Sequence, residues 1–183
     1  MPWSDPPTFD PGTELAAADL NLLRDNLLYL KGIADGVTVS GVQVTRAAAQ
    51  SITTSTSTEI SFSAEAYDHG GWWSSGPDVT VPAVAIPDGF ASIIVHVEGE
   101  LRFAANGTGA RVLVIYVNDA AVEPGRRIAA TGGGDSTDFG ISRYIEVAAG
   151  DVINLRCYQN SGSSLNASAV VFSVMRHAPA ATS

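Results

Sequence analysis

The sequence predicts a mostly β protein, a two-layer antiparallel β-sandwich preceded by an N-terminal extended arm and one short helix. Three observations predict it. From Glu59 onward, runs of alternating apolar and polar residues recur at roughly the eight-to-twelve-residue spacing of a sandwich, separated by Gly, Pro, Asn and Asp clusters. The composition, 45% apolar and only 16% charged with 18 glycines, suits a turn-rich β fold. Helical periodicity is confined to Ala16–Lys31.

At 183 residues the chain has room for one globular domain and a short appendage. A net charge of −9 with only 10 Lys and Arg argues against nucleic acid and against an anionic membrane, because both need a basic face. Cys157 is the lone cysteine, so packing rather than an internal disulfide must hold the fold, and its apolar surroundings make it a buried small hydrophobe. MPWSDPPTF has neither the basic start nor the apolar core of a secretory signal, and no run reaches the length of a membrane span. The expectation is a chain made and folded in a cytosol, with no membrane insertion.

Residues 1–32 read as an attachment arm and helical stalk. Four prolines in MPWSDPPTFDPG exclude helix and favour an extended arm, with Trp3 and Phe9 as apolar anchors that dock on another protein or fold back on the helix. In the helix, Leu20, Leu23, Leu27 and Leu30 are spaced 3, 4, 3, the seam of a coiled coil. Leu15, Leu22 and Tyr29 form a second stripe about 110° around the cylinder. The helix therefore serves either as an amphipathic strap on its own domain or as an oligomeric stalk and docking helix. Thr13 can cap its start and Gly32 can stop it.

Residues 33–50 read as a linker holding a weak extended piece, Val37–Val44, broken by Gly41. A head over residues 51–177 follows, then a tail, 178–183. Its first firm strand is Glu59–Ala64, with Ile60 and Phe62 on one side, and loops then surround Trp72 and Trp73. Phe90–Phe103 is the clearest strand: Ile93, Val95, Val97, Gly99, Leu101 and Phe103 face a core, and His96, Glu98, Glu100 and Arg102 face water. Arg111–Asn118 differs, because Leu113, Ile115 and Val117 are apolar on one face and Val112, Val114 and Tyr116 on the other. A partner sheet covers only one face, so the second calls for a neighbouring subunit. Asn118-Asp119 and Pro124-Gly125 read as turns, Arg126–Thr131 as a strand, and Gly132–Asp138 as a loop. Phe139–Val147, Val152–Gln159 and Ala167–Met175 complete the sheets.

No catalytic constellation emerges. His69, His96 and His177 sit in no metal or nucleophile motif, so no metal and no cofactor are expected. Glu98 and Glu100 share a face about 7 Å apart, which falls within the glycosidase range but arises on any exposed strand with alternate acids. The candidate ligand contacts are Trp72 and Trp73, able to stack on a sugar ring but read first as packing residues, and Asp135 and Asp138 beside the glycine loop.

Asp78–Pro82, Asp88-Gly89-Phe90 opening a long strand, Gly109-Ala110-Arg111 leading to Val117-Asn118, and Ala149-Gly150-Asp151-Val152 together resemble the tumour necrosis factor and complement globular-head superfamily. The resemblance spans about residues 50–176 and implies a TNF-like jelly-roll β-sandwich. The family trimerises through flat apolar strand faces, which implies a homotrimer with Val112, Val114 and Tyr116, and the Leu20, Leu23, Leu27 and Leu30 seam, between copies. Pro11-Gly12-Thr13, Ala17-Ala18-Asp19-Leu20-Asn21 and Leu23-Arg24-Asp25-Asn26 resemble the N-terminal attachment segment of tailed-bacteriophage virion proteins, including decoration proteins and small fibres. That second resemblance implies a structural protein on the virion surface, not an enzyme. Its arm, through Trp3, Phe9, Leu15, Leu22 and Tyr29, would hold a capsid or tail protein. The alternative is a tail-fibre head that adheres to a host-surface glycan.

Overall fold

The computed structural model describes residues 26–27, 40–87, 89–130 and 135–179. The chain divides into two compact units, Met1–Val39 and Ser40–Ser183. In the first, Asn26 and Leu27 are helical; Asn26 is buried and the seam residue Leu27 is 65% exposed. The other candidates there, Trp3, Phe9, Leu15, Leu20, Leu22, Leu23, Tyr29 and Leu30, lie outside the described residues.

The second unit is a jelly-roll sandwich. Its strands are β1 (Gly41–Arg46), β2 (Gln50–Ile52), β3 (Thr58–Glu59), β4 (Ala64–His69), β5 (Val79–Thr80), β6 (Ser92–Phe103), β7 (Ala110–Val117), β8 (Ala120–Ala129), β9 (Thr137–Ala148), β10 (Val152–Gln159) and β11 (Leu165–Pro179). One sheet runs β4-β1-β11-β6-β9, with β2 also on β11; the other runs β3-β10-β7-β8, with β5 also on β10. Side-chain alternation decides which residues meet between the layers. Ile93, Val95, Val97, Leu101 and Phe103 of β6 are buried against Leu113, Ile115, Ile153 and Leu155 from the opposite sheet, each contributing about 2 kcal/mol of burial. Gly99 completes that row for a packing reason: a Cβ there would lie 2.8 Å from Leu155 Cδ1.

Three expectations are corrected. The linker assigned to residues 33–50 contains β1, which sits between β4 and β11, so the head begins at Ser40. Val42 and Val44 are fully buried, and the irregularity read at Gly41 is a register shift at Gln43/Val44 against β4. The strand read over Glu59–Ala64 is split: Ile60 and Phe62 are buried as expected, but Phe62 makes only an isolated bridge to Gly76 before β4 begins. Pro124-Gly125 is no turn. It lies inside β8, an edge strand whose unpaired side tolerates a proline.

Connectivity sorts the loops into two groups. At the base, where Ser40 leads into β1 and β11 ends, lie the Gly70–Asp78 loop, the Val81–Ala91 stretch and the Asn118-Asp119 and Ala149-Gly150 turns. At the far end, roughly 35–40 Å away by strand rise, lie the loops between β2 and β3, β6 and β7, and β10 and β11, with the end of β8 and the start of β9.

Candidate functional site

The far-end loops are held from beneath by two buried polar side chains. Gln159 has no exposed surface; its amide donates to the carbonyls of Ile52 and Ser163 at 3.0 and 2.8 Å and accepts from the Ser161 N–H. Arg111, equally buried, donates to the carbonyls of Asn106, Thr108 and Ala110 and stands 5.6 Å from the Phe103 ring centroid. Burial pushes its guanidinium down from the ordinary arginine value. Asn160 joins the loops by accepting from the Ala110 N–H at 2.6 Å, and a Cβ on Gly109, whose φ is +78°, would collide with it. Above them a shallow hollow of about 450 Å³ is lined by Gly109, Ala110, Arg127, Ile128, Ala129 and Asn160. Its polar groups are amides and one guanidinium, set beside the alkyl groups of Ala110, Ile128 and Ala129.

The expected ligand contacts do not form one site. Trp72 and Trp73 belong to the base, whereas Asp135 and Asp138 belong to the far end. Trp72 is 1% exposed and its indole N–H donates to Ser40 Oγ at 3.1 Å, so it presents no ring face to a sugar. Trp73 is half-buried, with its indole N–H on the Gly76 carbonyl. Asp68, overlooked in the sequence, fixes this loop: its two oxygens accept from the N–H groups of Gly71, Trp72 and Trp73. An aspartate two residues ahead of paired glycines is the signal that could have shown it. Asp138 is committed to Arg102 by two hydrogen bonds of 2.6 and 2.9 Å, and that partner holds its carboxyl below the usual range.

The uncovered face of β7 is also different from expectation. Val112, Val114 and Tyr116 are half-buried within a single chain. The Arg156 guanidinium lies 4.2 Å from the Tyr116 ring centroid and pairs with Glu59 and Asp119. Burial works against the Arg156 charge, but its acidic partners outweigh that and leave its pKa raised. An arginine can lay an apolar stem and a flat cation across a greasy strand. Within one copy, therefore, Arg156 covers the Tyr116 end of this face.

The outward face of the other sheet carries a ring ladder. Tyr144, 63% exposed, lies between His96 and His177 at centroid distances of 4.8 and 4.9 Å. His96 Nε2 is 2.7 Å from Ser142 Oγ. This pair sits on an open, exposed sheet where Glu98, the register partner of Ser142, makes no hydrogen bond to His96, so it lacks the orienting acid and oxyanion donors of a nucleophilic site. Glu98 and Glu100 stand exposed on the same flat face. Cys157 is buried and its thiol is pushed up to about 12. No group of three metal-ligating side chains occurs among the described residues.

No protein-family model matches the chain and no curated protein sequence matches it. Solved structures do. The globular domain of zebrafish complement 1qA protein aligns at 10% identity and a TM-score of 0.51 over 73% of this chain and 94% of its own. Murine APRIL aligns at 12% identity and a TM-score of 0.54 over 76% and 100%. Eiger TNF from S. frugiperda aligns at 8% identity and a TM-score of 0.53 over 79% and 96%. The head therefore has the jelly-roll fold shared by tumour necrosis factor and complement globular heads.

Proposed function

We propose that this chain is a homotrimeric structural protein of a phage virion surface, a decoration or fibre protein whose N-terminal unit holds a capsid or tail protein and whose jelly-roll head points outward. The observation that carries the reading is the polarity of the head. Its connection to residues 1–39 enters beside the buried Trp72 at the base, and the braced polar loops lie at the opposite end. The leucine seam and the resemblance of the leader to virion attachment segments support the role given to the first unit, and the TNF-like fold supports self-association. Deletion of residues 1–31 tests it: particles assembled with the shortened protein should carry none of it, and particles that retain it would overturn the reading.

The second reading, adhesion to a host-surface glycan, gains support from one feature, the polar hollow over Gly109, Arg127 and Asn160. Glycan binding abolished by Asn160→Trp, with the fold intact by circular dichroism, is its expected result. Binding unchanged by that substitution would remove the hollow from consideration.

A further inference from the structure

The side chains of the far-end hollow offer a ligand hydrogen-bond donors and positive charge, with no acceptor among them left free. Only two of the lining residues carry polar side chains, Arg127 and Asn160. Asn160 has committed its acceptor: Oδ1 takes the Ala110 N–H at 2.6 Å, and the two hydrogens of its amide nitrogen have no partner among the described residues. Arg127 is donor-only and exposed, and it makes no hydrogen bond or ion pair among the described residues. Two nearby carbonyls are already taken. That of Gly109 accepts from the Ala130 N–H at 3.0 Å, and that of Ala110 accepts from the Asn160 N–H at 3.3 Å and the Arg111 guanidinium at 3.1 Å. The open edge of β8 presents N–H and C=O groups alike. The two side chains therefore set the sign of what fits.

Buried charge points the same way. Arg111 adjoins the lining residue Ala110, its printed partners are all carbonyls, and its Nε has no partner. A guanidinium buried without an acid beside it is screened far less than an exposed one. No Asp or Glu lines the hollow, in a chain whose net charge is −9. The rest of the lining, Ala110, Ile128 and Ala129, is alkyl and suits the C–H face of a sugar ring.

Resting on the reading that the head adheres to a glycan, we infer that this hollow takes the carboxylate of an acidic sugar, a uronate or a sialate, with Arg127 and the Asn160 amide as its donors. A neutral hydroxyl accepts from either group but brings a hydrogen of its own, for which these side chains hold no acceptor. A carboxylate only accepts, and its two oxygens match the fork of a guanidinium. Arg126, the next residue along, pairs with Leu113, on the opposite sheet face from Val112 and Arg127, and takes no part.

The full chain, labelled with nitrogen-15, is titrated with sodium glucuronate, glucose and sodium sulfate while the Gly109 and Ala129 amides and the Asn160 side-chain amide are followed by NMR. Glucuronate should shift these signals and glucose should not. Arg127→Gln should weaken the effect about tenfold, and Arg126→Gln should leave it unchanged. Glucose acting as strongly as glucuronate overturns the requirement for a carboxylate and leaves the adhesion reading standing. Sulfate acting as strongly overturns the sugar and leaves an anion site only. Signals that stay at their native positions with both sugars overturn the hollow as a site for either, and the adhesion reading is then judged separately, by binding of the protein to host cells.

Discussion

Arg111 shows how much one position can settle. Alternation along its strand assigns it to the face of Leu113 and Ile115, so its burial was legible from parity, although a charged residue at a strand start reads as a solvated end. What the sequence could not show is the ring of carbonyls waiting for it, since Asn106 and Thr108 come from a loop whose path depends on the whole fold. Arg111 meets these carbonyls from two separate guanidinium nitrogens, a spread that one compact ammonium does not reproduce, so Arg111→Lys should cost about 2 kcal/mol in thermal or denaturant unfolding. Cys157 behaves in the opposite way, because an apolar run announced it correctly as a core residue. Its thiol should resist a maleimide in the native protein and react once the chain is unfolded. Burial raises its pKa to about 12, so the stability it contributes is intact below the ordinary thiol range and is lost as pH rises from there towards about 12. Unfolding monitored across that alkaline range should show the decline.

At the scale of elements, long strands with strict alternation were legible and short or shared ones were not. β6 reads unambiguously because every second residue of Ser92–Phe103 is apolar or, at Gly99, makes room for Leu155. β1 escaped because its glycine and polar neighbours resemble a linker; its two buried valines acquire meaning only between β4 and β11. β8 was misplaced because Pro-Gly is a turn signal that an edge strand overrides. The turns at the base were legible in kind. Asn118 and Asp119, with φ of 50° and 63°, make the two-residue hairpin their identities suggest. Asp151 then ties two turns together, accepting from the Asn118 side-chain amide at 2.8 Å and from the Ala148 N–H at 2.8 Å. Asp151→Ala removes both bonds and should lower stability by about 1–2 kcal/mol, measured by urea titration.

For the molecule as a whole, the sandwich and its TNF-like class were legible, and the site was not. Paired tryptophans look like a ligand platform in one dimension, but Asp68 folds the loop inward and Trp72 becomes core. Its role is to fasten the start of the head. Trp72→Ala should cost about 3–5 kcal/mol by cavity formation and loss of the Ser40 bond, visible as a lowered unfolding temperature. The greasy second face of β7 was likewise read from a single strand, and Arg156 comes from the neighbouring strand β10 to lie over its Tyr116 end.

The placement of β1 bears on how the head would withstand being pulled. Tension transmitted through Ser40 enters a strand flanked on both sides by antiparallel neighbours, along the direction of its length. If the opposing tug acts on the distal loops, the ladder bonds are loaded together in shear instead of opening one at a time like a zipper, a geometry fit for a tether exposed to flow.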